Sequence, residues 1–177
     1  MLLTREQAVD IANRQLLSLG CADVPMAVLP KLTEEFDVGW VFYYQSERYL
    51  QTGNFSDTLV GNAPLFVSRL DGQCWGVSHH RPLTESLAAY RACGNPNARE
   101  IAEVRLAACK KDAQVVFAIR AIRQHSALGL SQAKSVVESC LANLSPIVAV
   151  STVEEARALV TVLASFGFQA AVRYDNP

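Results

Sequence analysis

The sequence predicts an α+β protein of two unlike modules, residues 1–95 and 96–177, on three observations. An amphipathic helical pattern opens the chain. Short β-branched and aromatic runs joined by an Asp-Gly step fill the rest of the first half, and the second half reads β-α-α-β-α-β. With 50% hydrophobic and 19% charged residues, nine Gly and seven Pro in 177, the composition is that of an ordinary globular chain, which excludes disorder, collagen and coiled coil. The first module holds seven Lys/Arg against ten Asp/Glu and the second nine against seven, so the two differ in sign while the whole carries only -1. No global cationic field marks a nucleic-acid or anionic-membrane binder, and neither partner is expected.

Thr4-Arg-Glu-Gln7 has the form of a capping box, with the Thr4 hydroxyl able to accept from the backbone N–H three residues on. Val9, Ala12, Leu16 and Leu19 follow at helical spacing, and Gly20 is expected to end the helix. Strand-like runs then occupy 26–32, 39–45, 65–70 and 73–77. The last two are joined through Asp71-Gly72, a step suited to a tight turn that requires positive φ. A meander of about four antiparallel strands is the economical reading. Pro82 precedes Thr84, the expected N-cap of a short helix carrying Leu83, Leu87 and Tyr90 and broken at Gly94-Asn-Pro-Asn97.

The second half changes grammar. Residues 102–108 read as a strand, and Val115, Ala118, Ile119 and Ile122 fall at i, i+3, i+4 and i+7 on one helix face. Leu128-Gly129-Leu130 breaks that helix, with Gly129 free to take positive φ and Ser131 able to cap a second helix carrying Ala133, Val136, Val137 and Cys140. A strand at 147–150 leads to a capping box at Ser151-x-x-Glu154. Val153, Ala156, Val160 and Leu163 line a third helix, Gly167 ends it, and 168–174 closes the module as a strand.

Chemistry is sparse. The chain has no GxSxG, HExxH, P-loop or post-strand GxGxxG, so no catalytic residues and no cofactor are expected and the protein does not read as an enzyme. Cys74, His79, His80 and Cys93 have metal-ligand chemistry, but adjacent histidines on an extended segment point opposite ways, and no metal site is expected. Five cysteines, Cys21, Cys74, Cys93, Cys109 and Cys140, form neither CxxC nor a regular spacing, which fits reduced thiols in a cytoplasm. Arg5, Glu6, Asp10 and Arg14 interrupt the first twenty residues, so no signal-peptide core is read there, and no run approaches the roughly 20 apolar residues of a membrane span.

Two segments carry candidate recognition. Trp40, Phe42 and Tyr44 alternate with Val41, Tyr43 and Gln45, which fits either a central strand covered on both sides or aromatic anchors exposed to a partner. Glu34, Glu35 and Asp37 cluster just before that strand, Glu47 stands just after it and Asp57 in the following loop. Such acids form either a solvated face or an acidic binding patch. Arg120, Arg123 and Lys134 make a second candidate surface or a solvated helix face.

The segments Gly39-Trp-Val-Phe-Tyr-Tyr-Gln45, Tyr49-Leu-x-Thr-Gly53 and Leu59-Val-Gly-Asn-Ala-Pro64, followed by an apolar strand and the hairpin Gly72, resemble the immunity protein 35 family, also called the YrhB type, over roughly residues 1–93. The resemblance implies a non-enzymatic partner of a secreted polymorphic toxin, a monomer or dimer that binds a cognate toxin effector domain one to one in the cytoplasm of the producing bacterium. Glu34, Glu35, Asp37, Trp40, Tyr44, Glu47 and Asp57 are then the candidate toxin contacts. Ile119-Arg-Ala-Ile-Arg123, Leu128-Gly-Leu-x-x-Ala-Lys134 and Gly167-Phe-x-Ala-x-Val172 are similar to the C-terminal domain of the bacterial ribosomal stalk protein, which implies a factor-binding hairpin bearing Arg120, Arg123 and Lys134. Val115 and Ser131-Gln132 depart from that pattern. A housekeeping interaction module, chaperone-like or factor-binding, is the other function class that fits.

Overall fold

Thr4 and Gln7 exchange the two hydrogen bonds of a capping box: Gln7 N donates to Thr4 Oγ1 (3.3 Å) and Thr4 N to Gln7 Oε1 (2.9 Å). Helix α1 (Arg5–Leu19) starts there and buries Ala8, Ala12 and Leu16. The computed structural model describes residues 2–19 and 24–175, so Gly20, expected to end this helix, and Cys21 lie outside the described residues. The chain forms two units, Met1–Asn97 and Ala98–Pro177. Both mix helices with antiparallel sheets, which makes the class α+β. No helix among the described residues is long and apolar enough to cross a membrane.

In the first unit α1 is followed by β1 (Met26–Val28), a 3-10 turn (Pro30–Leu32), β2 (Glu34–Phe36), β3 (Gly39–Phe42), β4 (Tyr44–Ser46), α2 (Glu47–Thr52), a 3-10 turn (Phe55–Asp57), β5 (Leu65–Ser68), β6 (Cys74–Gly76) and α3 (Leu83–Cys93). Strands β2-β3-β5-β6 form one antiparallel sheet, and β1 and β4 form a separate pair. A four-strand meander is present, but its first strand is β2, which is not among the expected runs, in place of the run 26–32, and two of the expected runs are corrected. The run 26–32 is a strand only to Val28, because Pro30 fixes φ and lacks an N–H, and a 3-10 turn replaces the ladder. The run 39–45 is not one strand: it leaves the large sheet at Tyr43 and pairs with β1 beyond it.

Strand β3 is covered on both faces, and all four of its residues are buried. Trp40 and Phe42, with Leu65 and Val67 opposite them on β5, pack against Ala8, Ala12 and Leu16 of α1. Val41 and Phe66 face the other way, onto Leu87 of α3. There the Tyr90 ring stands edge-on to Phe66 (centroids 4.8 Å apart) and Trp75 (5.5 Å), and the Tyr90 hydroxyl donates to the buried Ser68 Oγ at 2.6 Å. Of the two readings of the aromatic run, β3 follows the covered central strand.

The β5–β6 connection is a longer loop than the two-residue turn expected at Asp71-Gly72. Arg69 N bonds Val38 O (2.9 Å), while Ser68 Oγ accepts from Leu70 N and Asp71 N, so residues 69–73 form the loop with Gly72 at φ +72°. Thr84 does not cap α3; the helix begins one residue before it, after Pro82, and ends at left-handed Gly94. The carboxylate of Asp37, in the β2–β3 turn, makes a two-pronged ion pair with Arg91 of α3 at 2.5 and 3.1 Å.

The second unit runs β7 (Glu100–Cys109), α4 (Val115–His125), α5 (Leu130–Leu141), β8 (Ile147–Ala149), α6 (Val153–Ser165) and β9 (Phe168–Tyr174), in the expected β-α-α-β-α-β order. Its antiparallel sheet is ordered β8-β7-β9. Val104 and Leu106 of β7 join Ile122, Val137, Leu159 and Leu163 in one core, while Arg105 and Ala107 between them are exposed. Three local expectations are corrected. Gly129 has φ -71° rather than positive φ. It also supplies the α5 cap position in place of Ser131, with its N–H donating to Gln132 Oε1 at 3.0 Å. The α6 cap is one residue later than expected, Thr152 Oγ1 accepting from Glu155 N at 3.2 Å. Gly167 ends α6 at φ +84°.

A Cβ on Gly39 would lie 2.1 Å from Val67 O and 3.0 Å from the Phe66 ring, whereas one on Gly76 meets nothing closer than Ala63 Cβ at 4.0 Å. Gly39→Ala should therefore lower the free energy of unfolding in urea by about 1–3 kcal/mol. Gly76→Ala should change it by less than about 0.5 kcal/mol. The Arg91 guanidinium holds the Asp37 carboxyl below the usual aspartate range. The stability it contributes is present at neutral pH and is lost as pH falls through the lowered native value, and solvent screening keeps it small at this exposed site. In an NMR titration Asp37 should titrate below an ordinary aspartate, and in Arg91→Ala it should return toward one.

Candidate functional site

Pleating separates the acids that sequence order puts together. Glu35 lies opposite Trp40 in the ladder and shares the α1 face, while Glu34 lies opposite Val41 and shares the α3 face. The Glu35 carboxylate accepts from Arg69 Nη2 at 2.5 Å. The same guanidinium sits 4.2 Å from the centroid of the Trp40 ring and donates to Phe36 O at 3.1 Å. Arg69, and secondarily the nearby Trp40 indole, hold the Glu35 carboxyl below the usual range. Trp40 Nε1 is buried without a hydrogen bond of full geometry.

Trp40 is 1% exposed, so it is a core residue and not a surface anchor. Asp37 is committed to Arg91. Asp57 is paired with Arg48 at 3.1 Å and accepts from Thr52 Oγ1 at 2.9 Å. Tyr44 is half-buried and packs beside the α1 core, which pushes its phenol upward. Burial, and then Glu34, do the same to Tyr43, whose hydroxyl donates to Glu34 Oε1 at 2.8 Å. Glu47, the first residue of α2, is exposed and has no ion pair among the described residues.

What sequence order did not show is the excursion between β4 and β5, residues 47–64. It is closed at its base by side chains. Gln45 donates through Nε2 to Leu59 O (3.2 Å) and accepts at Oε1 from Leu59 N (2.5 Å), so one amide side chain stands in for a strand partner. Asn62 Nδ2 donates to Tyr44 O at 2.8 Å, His79 Nε2 lies 2.5 Å from Asn62 O, and Ser46 Oγ bonds Asp57 O. Ser46 also caps α2, Gly53 ends it in the left-handed region, and Asn54 caps the following 3-10 turn. On this braced segment Leu50, Phe55 and Val60 are 46%, 80% and 83% exposed. The signal in the sequence was Phe55 itself, an aromatic set among Gly53, Asn54, Ser56 and Asp57 with no apolar periodicity to bury it.

Elsewhere in this unit an open groove of about 550 Å³ runs between α1 and β1, lined by Arg5, Glu6, Val9, Asn13, Ala27 and Val28 among others. No three His, Cys, Asp or Glu side chains among the described residues are grouped to hold a metal. Burial pushes the Cys74 thiol up to about 11, so it is protonated at neutral pH. In the second unit Arg120 and Arg123 are exposed one turn apart on α4, and Lys134 on α5 pairs with Glu138 at 3.5 Å. The exposed Phe117 ring stacks on Phe166, centroids 5.5 Å apart.

The double hydrogen bond of Gln45 makes the brace testable. Gln45→Ala should speed hydrogen exchange of the Leu59 amide by at least about tenfold while leaving the β3 and β5 amides protected, because the core does not depend on that side chain.

Comparison with known proteins bears on the first half of the chain. A family model described as Immunity protein 35 matches residues 6–93. The uncharacterised protein YrhB of Escherichia coli (strain K12) is 32% identical over 89 residues, which cover 50% of this chain and 89% of that protein. No solved structure matches. The likeness of residues 100–175 to the ribosomal stalk protein is not supported by these matches. The family match thus covers the unit in which α1 and α3 pack on the two faces of one four-stranded sheet, and the chain belongs to the immunity protein 35 family.

Proposed function

We propose that this chain neutralises a cognate antibacterial polymorphic toxin by stoichiometric occlusion, without catalysis, in the cytoplasm of the producing bacterium. The observation that carries the reading is the family match over residues 6–93, which spans the unit whose charge is net acidic. An inhibitor of this kind must capture its toxin before much damage is done. That demands a dissociation constant near the nanomolar range, on the order of -12 kcal/mol, and an interface of about 800 Å² on each partner. Surface acids raise the rate of encounter with a basic toxin domain, and buried apolar anchors slow its escape.

Among the candidate contacts, Glu34 and Glu47 are the acids without an ion pair among the described residues, so they are the ones available to pair with the toxin. Tyr44 is half-buried beside them in sequence, and Glu35, Asp37 and Asp57 contribute to the acidic field while holding Arg69, Arg91 and Arg48 in place. Arg120 and Arg123 of the second unit, with Lys134, are a second contact surface in this proposal. One chain binds one toxin domain, with no nucleic acid, membrane or cofactor in the complex.

The test is to look beside this gene in its source genome for a toxin domain, whose absence would count against the proposal, and to co-express the two. Growth should be restored when the two are made in equal amounts, and titration of the purified pair should give a one-to-one complex with nanomolar affinity. Growth arrest with both proteins present, or no complex at micromolar concentrations, would show the proposal to be wrong.

A further inference from the structure

Most large apolar side chains of the first unit are spent on the two faces of its four-stranded sheet, but three on the 47–64 excursion are not. Phe55 is the one exposed aromatic among the described residues of this unit; the other Phe, Trp and Tyr side chains there are buried or half-buried. Its exposure of 80% means that it contributes little to folding, and the same holds for Val60 at 83%. Exposed leucines such as Leu2, Leu17 and Leu19, on and just before α1, are ordinary surface features. What sets Leu50, Phe55 and Val60 apart is that they include an exposed aromatic and stand outside regular sheet on a segment held by so many side-chain bonds.

A floppy apolar loop loses affinity to the cost of ordering, and here the ordering is already done. Two helical caps, a left-handed glycine and the Gln45 and Asn62 braces fix the backbone that carries Leu50, Phe55 and Val60. The charge of the segment is as simple. Glu47, Arg48 and Asp57 are its charged residues, and Arg48 pairs with Asp57 at 3.1 Å, which leaves Glu47 without an ion pair among the described residues. A rigid apolar projection with one free carboxylate, on a unit with three more acids than bases, complements an apolar cleft bordered by cations.

We infer that residues 47–64 are the toxin-contact surface of the first unit, with Phe55 as the anchor that enters an apolar, cation-rimmed cleft of the toxin domain and Leu50 and Val60 adding contact area. The inference rests on the immunity reading and adds the surface and the chemistry of its partner. Sequestration of Phe55 on binding removes it from water only in the complex, so its truncation affects dissociation and not the fold.

The test uses the full chain and the purified toxin domain encoded beside its gene, titrated by calorimetry with wild type, Phe55→Ser, Val60→Ser and, as a control on another element, Leu17→Ser. Phe55→Ser should weaken binding at least about thirtyfold, the scale of an interface hot spot, and Leu17→Ser less than about threefold, with melting temperatures unchanged. Glu47→Lys should slow association and flatten its salt dependence. Amides of 47–64 should gain exchange protection in the complex. If wild type binds and Phe55→Ser binds within threefold of it, this surface is wrong and the immunity reading stands. If wild type does not bind, both fall.

Discussion

A strand buried on both faces has no surface to offer, and the first unit is organised around one. Helix α1 covers one side of β3 and α3 the other, so what the unit displays comes from other segments, among them the one where the chain escapes from that strand. The escape is at Tyr43. Beyond it the backbone pairs with β1, and the return to β5 takes eighteen residues that the sheet cannot hold in register. Gln45, Ser46 and Asn62 hold them instead, by hydrogen bonds from side chains to backbone. Buried or half-buried backbone polar groups need such partners, and a polar side chain serves as well as a ladder.

Charge follows a similar division between structure and surface. Three of the five candidate acids are engaged by arginines, each from a different part of the unit: Arg69 beyond β5, Arg91 on α3 and Arg48 on α2. Arg69 does more than neutralise Glu35, since it also lies against the Trp40 ring and bonds the Phe36 carbonyl. It thereby seals the edge of the core where β2 would otherwise leave an indole face open. Exposed ion pairs of this kind contribute little individually, so their value here is positional.

Much of this architecture was legible in the sequence. The Thr4 capping box, the αα hairpin of the second unit and the Gly167 stop all rest on local chemistry that tertiary structure had no reason to override. Failures fell where two local solutions were nearly equivalent. Ser151 and Thr152 precede Glu154 and Glu155 at equal spacing, and only the backbone decides which pair caps α6. Nothing in Gly39–Gln45 marks Tyr43 as the place to change sheets, because alternation stays apolar on both sides of it. Among the candidate acids, nearness in sequence did not carry over into a shared face. Glu34 and Glu35 are adjacent along the chain and face opposite ways, and the exposure of Phe55 was not legible because it belongs to no periodic pattern.

The brace of the excursion and its tip are made by different residues. Gln45, Asn62 and Asp57 hold the frame, and Leu50, Phe55 and Val60 hang from it without packing into either core cluster. Mutation at the tip therefore escapes the filter that folding imposes on most apolar positions. Such a surface can diverge quickly among descendants of one ancestral scaffold, each lineage keeping the frame and rewriting what it displays.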